Sequence, residues 1–103
     1  GPEVFTSGSM FFDVATEWIL STNTVTIQNN AGYSDPRLYA WGSGEIYGGW
    51  RGIKPTSNDN GTLVFPLPND GGEYNLILNG EGDGVQQDIA TVIANKSYTF
   101  TAN

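Results

Sequence analysis

Along residues 37–41, one arginine and two aromatic residues occupy every second position, with Leu38 and Ala40 between them. A further aromatic residue, Trp50, follows in the glycine-rich stretch 48–52. Successive side chains of an extended strand point to opposite faces, so Arg37, Tyr39 and Trp41 share one face. Aromatic rings offer an apolar face with a polar edge, which suits the C–H faces and hydroxyl groups of a sugar ring. The spacing therefore predicts a flat, exposed aromatic surface that binds a pyranose.

The opposite face of the same segment carries Leu38 and Ala40, which are better suited to a protein core. Core packing remains the alternative for Tyr39 and Trp41, because such residues are also common in strands, where a tryptophan often anchors a small β-domain. Trp50 is expected to be exposed, since glycine-rich loops frequently carry functional side chains.

Tyr47 lies three residues before Trp50 in the same segment. Two roles are open for it: direct contact with a ligand, or packing beneath the loop so that Trp50 is held in place. Either role would reduce the entropy lost on binding, because immobilising a freely rotating side chain costs about 0.5–1.5 kcal/mol.

The composition argues against most catalytic chemistry. The chain has no histidine and no cysteine, which removes the commonest general base, thiolate nucleophiles and soft metal ligands. A glycosidase needs two carboxylates flanking a cleft, and about one hundred residues rarely build such a groove. The acids considered for this role are Glu17, Glu45, Glu73, Glu81 and Asp83. We expect no enzyme activity, no organic cofactor and no metal chemistry.

Calcium is the rival ligand for the acidic segment in which Glu81, Asp83 and Asp88 alternate with or follow glycines. Oxygen-rich loops of this kind can hold the ion. The segment lacks the spacing of an EF-hand loop, so a solvated tight turn is the favoured interpretation and a structural ion the alternative.

The charge balance limits the partners. Eleven acidic and four basic residues give a net charge of -7, which opposes binding to nucleic acid or to an anionic membrane surface. No apolar run is long enough to cross a bilayer. The Gly1-Pro2 start is typical of a protease-cleavage remnant, so a leader or neighbouring domain could have been removed. A secreted, periplasmic or cell-surface location is expected.

Short β-type runs alternate with Gly, Asn and Asp turns, and no segment has a convincing helical period. This pattern predicts an all-β fold: a single antiparallel β-sandwich of immunoglobulin-like shape with about seven or eight short strands, a small barrel being the alternative. We expect residues 1–9 to be a linker arm and residues 10–103 to form the module. The ambiguous segment Met10 to Leu20 is interpreted as a strand. The predicted runs are 23–28, 37–41, 63–67, 74–78, 87–92 and 97–101.

Four short motifs in sequence order resemble a family 26 starch-binding carbohydrate module. They are Tyr39-Ala40-Trp41, Trp50-Arg51-Gly52, Asn75-Leu76-Ile77-Leu78-Asn79-Gly80 and Gln86-Gln87-Asp88. Family members read as a strand of alternating tyrosines ending in tryptophan, a Trp-Pro-Gly loop, an Ile-Phe-Asn-Asn-Gly strand and a Gln-Thr-Asp motif. The resemblance spans roughly residues 23 to 102.

The resemblance implies a non-catalytic module that binds starch-like α-1,4-glucan and tethers a larger glycoside hydrolase or surface protein to it. Tyr39 and Trp50 would cradle consecutive glucose units, and Gln86 would hydrogen-bond their hydroxyl groups. Trp41 ranks below these two rings. The alternative is a structural or protein-binding β-sandwich, since tyrosine and tryptophan are also enriched at protein interfaces.

Three positions depart from the family pattern. Arg51 stands in place of the proline of Trp-Pro-Gly, Gln87 in place of the threonine, and Arg37 where a first tyrosine is often found. The guanidinium of Arg37 can stack on a sugar or donate several hydrogen bonds, so we expect it to replace the missing ring.

Overall fold

The computed structural model describes residues 23–103, and every regular element within them is a β-strand. The strands are β1 (Thr24–Asn29), β2 (Arg37–Gly42), β3 (Ser57–Asp59), β4 (Thr62–Pro66), β5 (Glu73–Asn79), β6 (Gln86–Ile93) and β7 (Tyr98–Ala102). The predicted arm 1–9 and the predicted strand Met10 to Leu20 lie outside the described residues. In the described part of the chain no helix has the length and apolar character needed to span a bilayer.

The strands form two sheets, one of four strands in the order β3-β4-β1-β7 and one of three in the order β2-β5-β6. The all-β sandwich prediction is confirmed, and the two sheets formed by residues 23–103 do not close into the alternative barrel. One pairing corrects the antiparallel prediction, because β7 runs parallel to β1. Parallel neighbours need a long crossover, and here the chain passes through the second sheet between them.

The core lies between the two sheets and follows the alternation read from the sequence. Val25 and Ile27 of β1 are fully buried, as are Leu38 and Ala40 of β2. The other buried apolar residues are Tyr47, Leu63, Phe65, Leu67, Tyr74, Leu76, Leu78, Val92, Ala94 and Ala102. Burying one face of each sheet fixes the strand register, because a slip of one residue would expose that set.

The outer face of the three-stranded sheet points away from this core. Residues paired directly across adjacent strands lie on the same face, so the register arranges the outer side chains in rows. The rows are Arg37, Asn79 and Gln86; Tyr39, Ile77 and Asp88; and Trp41, Asn75 and Thr91. Tyr39 and Trp41, which were predicted to share a face, therefore do so on β2.

One structural feature interrupts the regular ladder on this face. The register of β5 and β6 shifts at Leu76 and Ile77, so Ile89 has no partner in the pairing and β6 carries one extra residue there. Such a bulge bends its strand and increases the local twist. It lies between the rows of Tyr39 and Trp41.

Candidate functional site

The rings of Tyr39 and Trp50 meet on the outer face and form what we call the aromatic corner. Their centroids are 5.3 Å apart and their planes make an angle of 67°. Trp50 is 54% exposed, as expected for its loop. The predicted flat surface is wrong for this pair, because the loop presents Trp50 edge to face, an arrangement that aromatic pairs favour over a sandwich.

The tyrosine of the aromatic corner is tied to the loop by its hydroxyl group. Tyr39 Oη donates a hydrogen bond of 2.5 Å to Glu45 Oε2. This bond to a carboxylate raises the pKa of the Tyr39 hydroxyl above its usual value, because a neighbouring negative charge disfavours the phenolate. Tyr39 on β2 is therefore connected to the loop of residues 43–52, which also carries Trp50.

Trp50 is positioned by the residue that follows it. Arg51 Nε donates to Asn79 Oδ1 at 2.8 Å, and Asn79 Nδ2 donates back to the Arg51 carbonyl at 3.0 Å. Arg51 also bonds the Asp35 carboxylate at 2.9 Å and the Asp35 carbonyl. We call Arg51, Asn79 and Asp35 the Arg51 clamp.

Asn79 is the one buried polar residue among residues 23–103, and its side chain is fully shielded from solvent. Its amide is satisfied by both bonds to Arg51, as a buried polar group requires. The hydrogen bond from Arg51 holds the pKa of the Asp35 carboxyl below its usual value. The Arg51 clamp thus links the loop to β5 and to the segment before β2 through charge-assisted bonds, which are stronger than neutral ones.

Gly52 brings the loop against the open edge of β2. Its φ is +88°, and a Cβ atom there would lie 1.8 Å from the Leu38 carbonyl oxygen. Ile53 and Leu38 exchange two backbone hydrogen bonds at 3.0 and 3.1 Å directly beyond it. Only glycine fits this close approach. The loop is therefore held on one side by backbone pairing and on the other by the Arg51 clamp.

Arg37 and Gln86 stand at opposite ends of one row. Arg37 contacts the Asp35 carboxylate at 3.3 Å, and its Nε is buried with no hydrogen-bond partner among the described residues. Gln86 is exposed at the start of β6, with Asn79 between the two. Two strand spacings of about 4.8 Å separate them, so the structure does not bring the two side chains together.

Tyr47 lies in the core and not at the surface. Its side chain is 4% exposed, and its hydroxyl donates to the Pro66 carbonyl at 2.5 Å. Burial raises the pKa of this hydroxyl. The inclusion of Tyr47 among sugar-contacting residues is therefore wrong, and the packing alternative describes it. Its ring anchors the loop from below, three residues before Trp50.

Trp41 is exposed, contrary to the core alternative, and its ring borders an open cavity. The side chain is 50% exposed. The cavity has a volume of about 190 Å³ and is lined among others by Trp41, Asn75, Asp88, Ile89 and Thr91. We call this cavity the Trp41 hollow. It lies beside the bulge of β6, since Ile89 is among the residues that line it.

The acidic side chains of the proposed calcium segment diverge. Ser34 Oγ donates to Glu81 Oε1 at 2.9 Å, Asp83 is exposed in the loop and Asp88 lies on β6. Among residues 23–103 no group of three or more metal-ligating side chains is placed to hold an ion. Within the segment, the Val85 N–H donates to the Gly82 carbonyl at 3.4 Å, which closes a turn.

Two groups of residues at the site were not identified from the sequence. Asp35 and Asn79 were not singled out, although Arg51 in place of proline was a signal that the loop needed other anchors. Asn75 and Thr91 were also missed, and their alternation with the buried residues of β5 and β6 would have placed them on the outer face.

Comparison with known proteins adds no relative: no family model, no curated protein and no solved structure gives a significant match to this chain.

Proposed function

We propose that this chain is a non-catalytic module that binds starch-like α-1,4-glucan at the outer face of its three-stranded sheet. The observation that carries the proposal is the aromatic corner, in which two rings at 67° are held before any ligand arrives. An angled pair suits consecutive glucose units of a chain that curves, whereas a flat pair suits a straight one. The resemblance of the four motifs to starch-binding modules supports the same ligand.

Preorganisation supports binding by weak stacking contacts. The bond from Tyr39 to Glu45 and the Arg51 clamp restrict the two rings of the aromatic corner. Rings that are already positioned lose less conformational entropy on binding. Gln86 is exposed on the same face and supplies an amide group for sugar hydroxyls.

The role proposed for the module is to tether a larger secreted enzyme or surface protein to polysaccharide. A tethered module raises the effective concentration of substrate near its partner, even where its own affinity is modest. The net charge of -7 disfavours anionic polymers and leaves neutral glucans as suitable ligands.

A protein-binding role is the second candidate, and one observation favours it. Ile93, which is 39% exposed, lies on the same outer face as Trp41. Exposed apolar side chains sharing one face are typical of protein interfaces. The polar residues between Ile93 and the aromatic corner favour the glucan.

Calorimetry with maltoheptaose tests the proposal, with cellohexaose as the control ligand. We expect saturable binding of maltoheptaose alone and a loss of at least about tenfold in Trp50→Ala, equal to about 1.4 kcal/mol. Thr99→Ala, at an exposed position on the opposite sheet, is the matched control and should bind as the parent chain does. Absence of heat with maltoheptaose would reject the glucan and favour the protein partner.

A further inference from the structure

The Trp41 hollow has features of a site that the aromatic corner does not use. Its tryptophan is half exposed on a regular strand, where a large apolar ring gains nothing from contact with water. The backbone carbonyl of Trp41 accepts a hydrogen bond of 3.1 Å from Asn75 Nδ2. The ring is thus attached to a fixed strand and presents its surface to solvent.

The volume of the Trp41 hollow exceeds that of a water site. Its 190 Å³ is far above the volume of about 10–15 Å³ that one water molecule needs. Ile89, the extra residue at the bulge of β6, is among the residues that line this space. The space is therefore large enough for a group much bigger than a water molecule.

The polar groups of the Trp41 hollow differ in their availability. Thr91 Oγ1 donates to Asn75 Oδ1 at 2.7 Å, so these two side chains satisfy each other. Asp88 is exposed, and its carboxylate takes part in no hydrogen bond or ion pair with any residue from 23 to 103. A free carboxylate accepts hydrogen bonds from two neighbouring hydroxyl groups at once.

The Trp41 hollow and the aromatic corner adjoin on one face. Tyr39 and Trp41 are two residues apart on β2, a separation of about 7 Å along the strand. Asp88 lies in the row of Tyr39, two strands away. One ligand chain can therefore reach both places without leaving the outer face.

We propose that the Trp41 hollow is a second sugar subsite, in which one further glucose unit of a bound glucan stacks on Trp41 while Asp88 accepts hydrogen bonds from its hydroxyl groups. This inference rests on the proposed function. It adds two consequences: a preference for chains long enough to reach both sites, and selection for neutral sugars. A uronic acid or a phosphorylated glucose would place its anion beside Asp88 and be repelled.

Calorimetry of Trp41→Ala and Asp88→Asn with maltoheptaose and with maltose tests this subsite. We expect affinity for maltoheptaose to fall about tenfold in Trp41→Ala and about threefold in Asp88→Asn. Affinity for maltose, which fills the aromatic corner alone, should change less than twofold in both. Circular dichroism checks that both variants, changed at exposed positions, keep the fold.

A second comparison tests the role of charge at Asp88. Maltoheptaose carrying one phosphate group should bind the parent chain more weakly than unmodified maltoheptaose, and the difference should shrink in Asp88→Asn. Asp83 lies in the exposed loop before β6. If the difference in affinity shrinks equally in Asp83→Asn, the repulsion is due to the net charge of the chain, and the part of the proposal that concerns Asp88 is overturned.

The outcomes separate this inference from the proposed function. Loss of maltoheptaose binding in Trp50→Ala with unchanged affinity in Trp41→Ala would leave the glucan module in place and overturn the second subsite. Absence of maltoheptaose binding to the parent chain would overturn both. A tenfold loss in Trp41→Ala for maltose as well as for maltoheptaose would also overturn it, because the ring would then belong to the primary site.

Discussion

The aromatic corner and the Trp41 hollow present similar rings on one sheet face but hold them by different means. Trp50 lies in a loop, and its place depends on the Arg51 clamp and on the close approach of Gly52. Trp41 lies within β2 and is positioned by the ladder with β5. A ring on a strand shares the stability of the sheet, whereas a ring on a loop depends on a few side-chain contacts. Removal of those side-chain contacts should therefore displace Trp50 without displacing Trp41.

Gly52→Ala should have the largest effect on the loop that carries Trp50. The new Cβ atom would lie 1.8 Å from the Leu38 carbonyl oxygen, so the loop must leave β2 or the fold must be lost. We expect the free energy of unfolding to fall by more than about 4 kcal/mol. Urea unfolding followed by tryptophan fluorescence measures this change.

Gly48→Ala is the matched control for that change. Gly48 also has a positive φ, of +78°, but open space surrounds its Cβ position. The left-handed conformation alone should cost about 1 kcal/mol. Equal stability of the two alanine variants would show that Gly52 does not hold the loop against β2.

A smaller loss of stability is expected when the buried amide of the Arg51 clamp is removed. Asn79→Ala leaves Arg51 without both of its bonds to that side chain, and we expect a loss of about 2–4 kcal/mol. Asn75→Ala is the control on the same strand and face, four residues away and partly exposed, and should cost less than about 1 kcal/mol. Chemical denaturation measures the free energy of unfolding of both variants. Similar losses in the two would show that Asn79 contributes no more to stability than Asn75 does.

The sequence predicted the sheet better than the site. Alternation identified Leu38 and Ala40 as core residues, because burial of one face imposes a period of two. It missed β3, Ser57–Asp59, whose residues are all polar and exposed and so carry no alternation. The parallel pairing of β7 with β1 was also missed, since the pattern of a strand does not indicate its direction.

The site depended on contacts that local patterns do not encode. Arg51 and Asn79 are 28 residues apart, and Asp35 is 16 residues from Arg51. The angle between the rings of Tyr39 and Trp50 follows from the path of the loop backbone and not from the spacing of aromatic residues. The bulge at Ile89, a residue that lines the Trp41 hollow, has no signature in the residues around it.

The stability of the chain should depend on pH through Asp35 of the Arg51 clamp. Asp35 has a lowered pKa in the folded chain, so it contributes stability that is present above its ordinary value of 3.8 and is lost as the pH falls through the folded value. We expect Asp35→Asn to be less stable than the parent chain at pH 7, with the difference narrowing towards pH 3. This effect should be smaller than that of Asn79→Ala, because Asp35 is partly exposed and solvent screens it.

Denaturation at pH 7 and pH 3 measures the change, with Asp83→Asn as the control. Asp83 is an exposed loop residue without a hydrogen bond or ion pair to any residue from 23 to 103, so its substitution measures the effect of losing one negative charge alone. If the free energy of unfolding of Asp35→Asn differs from that of the parent chain by the same amount at pH 7 and pH 3, the carboxylate does not contribute through its charge.

The smallest expected effect concerns Tyr39, whose hydroxyl joins the strand to the loop. The bond to Glu45 raises the pKa of Tyr39 above 10.0, so its stability contribution is present below pH 10 and is lost as the pH rises through the folded value. Glu45→Gln keeps an acceptor and removes the charge, and the ring signals of Tyr39 in an NMR titration should then shift at lower pH. Tyr39→Phe identifies those signals. Titration at the same pH in both chains would mean that the carboxylate does not hold the hydroxyl, and that the aromatic corner depends on the Arg51 clamp alone.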